Sequence, residues 1–230
     1  MKTKDAPKKP SYRLGNSDEF IVENYNCAKP FANFFPGIAG KHGIPMWTFY
    51  TNRGQAISSF GTKDKEHAIL EFYPANKSWQ LTASHGFRTF IKESSGKKAI
   101  FYEPFHSGPV NREFELKSKM TLTSYDLAIE EENSSLGLHI KVEYFQIPDE
   151  SFAGLARIVT ITNLSKALKR LQVLDGLPQV TPFGMNNFFS KEMSRTIEAW
   201  MSVDNMETGV PFYRLAVDPA DRPEVLHINE

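Results

Sequence analysis

Tryptophan and tyrosine rings and three planar hydrogen-bonding groups lie within the stretch 47–55. The rings belong to Trp47 and Tyr50, and the planar groups are the amides of Asn52 and Gln55 and the guanidinium of Arg53. Sugars present apolar C–H faces surrounded by hydroxyl groups, which suit flat rings and multidentate hydrogen-bonding groups respectively. The types and spacing of these side chains therefore predict a carbohydrate contact.

A second group of similar composition follows along the chain. Trp79 and Gln80 lie near Asn76, and Arg88 comes directly after Phe87. We expect Trp79 and Arg88 to extend the carbohydrate-contacting set. The alternative is that the rings fill a core and the arginines pair with carboxylates, because most aromatic side chains of a globular protein are buried. The sequence leaves both interpretations open.

Other patterns of catalytic or metal-binding residues are absent from the sequence. The six histidines are scattered singly, the single cysteine, Cys27, has no zinc-binding partner, and neither glycine-rich phosphate loops nor the G-x-S-x-G motif occurs. Glu130, Glu131 and Glu132 are adjacent, and their mutual repulsion predicts a solvated loop rather than a catalytic pair. From the residues alone we expect no catalytic centre, no metal and no cofactor.

The composition is typical of a globular protein of one large domain. The chain has 230 residues, 40% of them hydrophobic, and its 27 basic and 27 acidic residues give a formal net charge of +0. This balance does not favour nucleic acid, which attracts clustered basic residues, and no apolar run approaches the roughly 20 residues of a membrane helix. Residues 1–11 lack the apolar stretch of a signal peptide and are predicted to form a flexible tail. A single cysteine is compatible with a reducing compartment, and we expect a cytoplasmic protein.

Alternation of apolar and polar residues dominates the chain and predicts β-strands. Every second residue is apolar in most of 114–122 and throughout 138–144, so each segment should bury one face, and 157–162 is rich in β-branched residues. Further strands are predicted at 47–51, 56–60, 67–73, 86–92, 98–102, 125–130, 169–174 and 212–217. Turn residues separate these segments without alternating helices, which predicts a mainly β fold of antiparallel sheets packed as a β-sandwich.

One stretch has helical periodicity instead. Apolar residues recur at steps of three and four between Met185 and Val203, and Pro182 precedes them, which predicts one amphipathic helix near 184–203. The last six residues, VLHINE, alternate again in the manner of a strand. We therefore expect a sandwich that is truncated at the C-terminus and leaves an unpaired strand edge.

The same chain resembles the N-terminal part of glycoside hydrolase family 94, a family of inverting glycoside phosphorylases that includes cellobiose phosphorylase. Within that family it is most similar to the 1,2-β-oligoglucan phosphorylases. The resemblance extends from about Tyr12 to the end. It is carried by PGIAG at 36–40, GIPMW at 43–47, NRGQ at 52–55, SFG at 59–61, PANK at 74–77, GFRTFIK at 86–92, LDGLP at 174–178 and EAWM at 198–201.

The resemblance implies a large sandwich, often called a supersandwich, over residues 12–230. In the family this domain precedes a helical linker and an (α/α)6 barrel, in which phosphate attacks the anomeric carbon with inversion while an acid protonates the leaving oxygen. A chain of 230 residues has no room for that barrel, so no catalytic residue is carried over. The implied partners are a β-glucan oligosaccharide, phosphate, the barrel of the same polypeptide and a second subunit in a homodimer.

Two other functions remain compatible with the sequence. The aromatic and Arg/Gln groups also suit a free-standing carbohydrate-binding β-sandwich module, which needs no barrel. If all the rings are core, the chain is instead a structural or interaction domain. The two differ in the expected effect of Trp47→Ala, which removes ligand binding from a binding module but unfolds a structural domain.

Overall fold

A computed structural model describes residues 9–35, 46–95, 98–182, 185–186, 188–193, 196 and 201–215. Antiparallel strands dominate these residues and are accompanied by one longer helix, α1 (Ala75–His85), and several single turns of helix. The strands are β1 (Ser11–Leu14), β2 (Phe20–Glu23), β3 (Ala32–Phe35), β4 (Met46–Thr51), β5 (Ile57–Thr62), β6 (Ala68–Leu70), β7 (Arg88–Ser95), β8 (Lys98–Tyr102), β9 (Leu116–Leu122), β10 (Asp126–Asn133), β11 (Leu138–Gln146), β12 (Leu155–Asn163), β13 (Leu171–Gly176), β14 (Met201–Asp204) and β15 (Phe212–Leu215).

The largest sheet has six strands in the order β1-β2-β9-β10-β11-β12. Burial alternates residue by residue along β10 and β11, because successive side chains of a strand point to opposite faces. Leu138, Ile140, Val142 and Tyr144 of β11 are fully buried on the inner face. The period-two pattern of 138–144 therefore identified β11 and the face that it buries.

A second sheet of four strands, β3-β4-β5-β6, lies against the first. Tyr144 donates a hydrogen bond from its hydroxyl to the carbonyl of Gln55, and Gln146 donates one to Thr48, which ties β11 to the β4–β5 hairpin. One core cluster contains buried residues of both sheets, among them Ile57 and Ile140. The mainly β, sandwich-type fold expected from the sequence is confirmed.

Two smaller sheets complete the described fold. A three-stranded sheet has the order β13-β7-β8, and β14 pairs with β15 in a separate hairpin. Short helical turns lie between the strands. They are the 3-10 turns Tyr25–Cys27, Lys65–His67, Pro109–Asn111 and Met206–Thr208 and the π-helical turn Phe189–Met193.

Helix α1 was missed by the sequence analysis, which expected only turn residues between the strands of this region. Pro74 precedes the first helical residue, and the N–H of Gly86 closes the last turn by donating to the carbonyl of Thr82. The buried residues of the helix are Ser78 and Thr82 rather than apolar side chains. Because the buried face consists of hydroxyl groups, α1 has no apolar stripe that a periodicity search could detect.

The helix predicted near 184–203 is confirmed only in part, because 188–193 and 196 are helical whereas the end of the stretch belongs to a strand. Phe189–Met193 is a π-helical turn, and Met201–Asp204 is β14, paired with Phe212–Leu215. Backbone pairing with β15 satisfies the hydrogen-bonding groups of 201–204 and overrides the helical spacing of the apolar residues. The remaining residues of the prediction lie outside the described residues.

Two other expectations concern the first part of the chain. The predicted tail 1–11 lies mostly outside the described residues, but Ser11 already pairs with Glu23 as the first residue of β1. The motif at 36–40, most of the one at 43–47 and most of the one at 198–201 also lie outside the described residues. The other motifs fall on the sheets, α1 and the loops that join them.

Candidate functional site

The hairpin that joins β4 and β5 is pressed against α1. Gly54 has a φ angle of +50°, and a Cβ atom added to it would lie 2.9 Å from the Cα of Ala83. From the other side, the hydroxyl of Tyr25 donates a 2.7 Å hydrogen bond to the carbonyl of Gly54. A glycine is required here both by the left-handed backbone and by the close approach of the helix.

Asn52 binds the chain itself rather than projecting from the turn. It is fully buried, and its Nδ2 donates to the carbonyls of Tyr25 and Lys29, both at 3.0 Å. Its Oδ1 accepts a 2.9 Å hydrogen bond from the N–H of Phe31. The amide therefore holds the loop 25–31 against the hairpin, and its donors and acceptor are engaged.

Arg53 and Trp79, both predicted to contact sugar, are neighbours. The guanidinium of Arg53 lies 5.9 Å from the centre of the Trp79 ring, and it donates to the carbonyls of Asn52 and Ala28 at 2.7 and 2.9 Å. Burial lowers the pKa of Arg53 from its ordinary value. Both side chains are half-buried, so each keeps a part of its surface open to solvent.

Gln55 joins a polar cluster that links the sheets. Its Nε2 donates a 2.8 Å hydrogen bond to the hydroxyl of Thr89, and its Oε1 accepts one from the guanidinium of Arg157. Arg157 also pairs with Asp175, which accepts a further hydrogen bond from Thr89. We call this set the Arg157 cluster. Its members are Gln55, Thr89, Tyr144, Arg157 and Asp175.

The electrostatics of the Arg157 cluster are those of a shielded ion pair. Burial alone raises the pKa of Asp175, but the hydrogen bonds from Arg157 and Thr89 outweigh it, and the net pKa lies below the ordinary value. For Arg157, burial lowers the pKa, and Asp175 and Tyr144 reverse this and raise it. The guanidinium also lies over the ring of Phe87, 4.7 Å from its centre. The cluster is a structural junction whose charges are mutually satisfied.

Arg88 also pairs with a carboxylate, as the alternative interpretation expected. Its Nε and Nη2 donate to the two carboxylate oxygens of Glu103 at 2.7 and 3.0 Å, and its guanidinium lies 4.6 Å from the centre of the Phe90 ring. A bidentate pair of this kind fixes the orientation of the guanidinium. Among the described residues, no hydrogen bond joins Arg88 to Asn52 or Arg53 of the β4–β5 hairpin.

The two rings of β4 that were predicted to contact carbohydrate lie in different environments. Tyr50 is buried and meets Phe31 edge to face, and burial raises its pKa. Trp47 is half-buried, and its Nε1 donates a 3.0 Å hydrogen bond to the carbonyl of Asp64. The indole borders an open groove of about 230 Å³, which we call the Trp47 groove. It is lined by Phe34, Trp47, Lys63, Asp64, Lys65 and Phe72.

The glutamate triplet was predicted to lie in a solvated loop, and this is wrong. All three residues belong to β10, with Glu131 on the buried face at 1% exposure. Glu131 accepts hydrogen bonds from the hydroxyl of Tyr102 at 2.7 Å and from the N–H of Phe105 at 2.8 Å. The alternation of β10 turns adjacent carboxylates to opposite faces, which reduces their repulsion. The period-two pattern itself was the signal that could have identified Glu131.

No group of three or more His, Cys, Asp or Glu side chains suited to a metal ion occurs in the part of the chain that the structure describes. Among the helices of the same residues, none has the length and apolar character needed to cross a membrane.

No protein-family model matches this chain, and no curated protein matches it.

Proposed function

We propose that this chain is the N-terminal β-sandwich domain of an inverting glycoside phosphorylase that acts on β-glucans. In this proposal the domain has a structural role and lies close to the carbohydrate. The proposal is supported by the resemblance of its motifs to family 94 and by its mainly β, antiparallel fold. The complete enzyme would release glucose 1-phosphate from a β-glucan oligosaccharide by phosphorolysis.

One observation supports the proposal above the others. Three motifs of the resemblance, at 52–55, 86–92 and 174–178, meet in space at Arg157 through Gln55, Thr89 and Asp175. Motif residues far apart in the chain thus form one hydrogen-bonded junction. This junction keeps the sheets in a fixed arrangement, as we expect of a domain that supports a separate catalytic unit.

In this proposal the chemistry belongs to a barrel elsewhere in a longer polypeptide. Phosphate would attack the anomeric carbon from the face opposite the leaving oxygen, so a single displacement inverts that carbon. The residues of this chain would keep the barrel and a second subunit of a homodimer in place, in the cytoplasm. The half-exposed Arg53–Trp79 pair would face the glucan.

Expression of the complete gene product tests the proposal. We expect that product to release glucose 1-phosphate from β-1,2-gluco-oligosaccharides in the presence of phosphate, and this chain alone to release none. Parallel reactions with β-1,4-linked oligosaccharides and without phosphate provide the controls. A complete product without phosphorolytic activity, or activity of the isolated chain, would contradict the proposal.

A free-standing carbohydrate-binding module is the second candidate function. The Trp47 groove favours it, since an open groove with aromatic walls can bind a ligand without a barrel. The same expression experiment separates the two functions. A complete gene product that ends with the sandwich but binds gluco-oligosaccharides in calorimetry supports the module.

A further inference from the structure

The Trp47 groove is built on a rigid base. The N–H of the indole is bonded to the carbonyl of Asp64, and a Cβ atom on Gly61 would lie 2.8 Å from the Cζ2 of Trp47. Phe72 meets the indole edge to face, with ring centres 5.9 Å apart. Phe34 lies parallel to Phe72 at 6.0 Å. The rings are therefore held in place before any ligand binds, which lowers the entropy lost on binding.

The free aromatic surface of the groove is supplied largely by an edge strand. Phe34 is 54% exposed and lies on β3, one of the two edge strands of its sheet. It faces Phe49 across the β3–β4 pair, with ring centres 4.9 Å apart. Phe34 thus contacts Phe49 and Phe72 and still keeps about half of its surface open to solvent, as a stacking surface for a flat apolar ligand face requires.

Charged groups surround the rings at the mouth of the groove. Lys63, Asp64 and Lys65 are all exposed. The Oδ1 of Asp64 accepts hydrogen bonds from the N–H of Glu66 at 2.9 Å and the Nδ1 of His67 at 2.8 Å, which fixes the carboxylate. A carboxylate accepts hydrogen bonds and ammonium groups donate them. Together they match hydroxyl groups, which do both.

The β4–β5 hairpin has less to offer a ligand. Asn52 and Gln55 are buried, and their amides bond to the chain itself. The groove, in contrast, combines open rings with exposed hydrogen-bonding groups. Its volume of about 230 Å³ is below the roughly 300–1,000 Å³ of sites for drug-sized molecules, so it suits a single ring of a longer ligand.

We propose that the Trp47 groove is a binding subsite for one pyranose ring of a gluco-oligosaccharide, separate from the β4–β5 hairpin. The C–H face of the sugar stacks on Phe34 and the indole of Trp47, while Asp64 and the two lysines bind its hydroxyls. The choice of a gluco-oligosaccharide rests on the proposed function. The shape and chemistry of the groove come from the structure.

Nuclear magnetic resonance of the isotope-labelled chain tests the subsite. The chain contains three tryptophans, Trp47, Trp79 and Trp200, whose indole N–H signals are assigned by comparison with the variants Trp47→Phe and Trp79→Phe. Short β-1,2-linked gluco-oligosaccharides are titrated into the protein, with β-1,4-linked ones in a parallel series. We expect the Trp47 signal to shift saturably and the Trp79 signal to shift less.

Two phenylalanines of similar exposure provide a matched pair of variants. Phe34→Ala removes the stacking surface and is expected to weaken binding about tenfold. Phe101→Ala, at a residue that is 60% exposed on the three-stranded sheet, should change the affinity by less than about twofold. A dispersed spectrum of each variant shows that the fold is retained.

Three results would overturn the subsite. They are a saturable shift of Trp79 without Trp47, equal losses of affinity for the two phenylalanine variants, and no shift at millimolar oligosaccharide of either linkage. The first two leave carbohydrate binding intact and move it elsewhere on the chain. Phosphorolysis by the complete gene product is measured separately, so the proposed function and the subsite can fail independently.

Discussion

Arg157 of β12 and Asp175 of β13 form a bidentate ion pair, in which Nη1 donates to Oδ2 and Nη2 donates to Oδ1 at 2.8 Å. The Arg157 side chain is only 9% exposed and that of Asp175 is 31% exposed. The pair therefore joins the edge of the six-stranded sheet to the three-stranded sheet, at the position where Gln55 of the β4–β5 hairpin also bonds.

Replacing Arg157 by methionine should destabilise the protein strongly. The change leaves the Asp175 carboxylate and the Gln55 amide without their main partner, and breaking a buried pair costs about 3–5 kcal/mol. Because Asp175 is partly exposed to water, we expect a loss of about 2–4 kcal/mol in the free energy of unfolding, measured by urea denaturation. The control is Arg13→Met, which breaks an exposed pair with Glu23. It should cost less than about 1 kcal/mol, and equal losses would contradict the junction.

The same pair predicts a loss of stability in acid. The pKa of Asp175 is lower in the folded chain than in the unfolded chain. Its stabilisation is therefore complete above the unfolded pKa of about 3.9 and is lost as the pH falls through the folded value. Denaturation curves between neutral pH and acid should show this decline, with a shallower slope for Asp175→Asn. An unchanged slope in that variant would show that other groups cause the decline.

Two glycines with left-handed backbones allow the energetic cost of backbone strain to be distinguished from that of close packing. A Cβ atom at Gly54 would meet Ala83, whereas one at Gly209, with φ +73°, would meet nothing within 4 Å. Gly209→Ala should cost about 1 kcal/mol from backbone strain alone. Gly54→Ala should cost more, about 2–4 kcal/mol, since the hairpin must also move away from α1. Thermal unfolding of both variants measures the difference, and similar values would argue against tight packing of the hairpin on α1.

The buried carboxylate of Glu131 predicts a role for the hydroxyl of Tyr102. Burial raises the pKa of Tyr102 far above its ordinary value, and the charge of Glu131 adds to the effect. The hydroxyl therefore stays protonated and donates to the carboxylate. Tyr102→Phe removes a hydrogen bond to a buried carboxyl group and should cost about 1–3 kcal/mol. Tyr125→Phe, at a residue that is 57% exposed, should leave the stability unchanged in the same denaturation assay.

The three-stranded sheet has an apolar surface that is exposed to solvent. Phe90, Phe101, Val173 and Leu174 lie in a cleft of about 430 Å³ beside the Arg88–Glu103 pair. Their exposed fractions range from 37% to 70%. Phe90, Val173 and Leu174 lie on the two strands that also carry Thr89 and Asp175, so the Arg157 cluster holds the sheet beneath the cleft in place.

The sequence by itself determined most of the strands and, where apolar and polar residues alternate, the face that a strand buries. In β11, Leu138, Ile140, Val142 and Tyr144 alternate with polar residues, and a strand turns successive side chains to opposite faces, so a local pattern suffices. Turn residues such as Gly54 marked the hairpins for the same local reason. The antiparallel, mainly β fold followed from these two signals.

Only the tertiary structure decided what the polar side chains do. The sequence predicted that Asn52 and Gln55 contact a ligand, because their partners within the protein lie far away in the chain. Arg157, for example, is 102 residues from Gln55. Helix α1 buries the hydroxyl of Thr82, which bonds to Thr51 of β4, and Glu131 accepts a hydrogen bond from Tyr102 of another sheet. Local spacing cannot reveal such contacts, because a buried polar group is stabilised by whichever partner the fold brings to it.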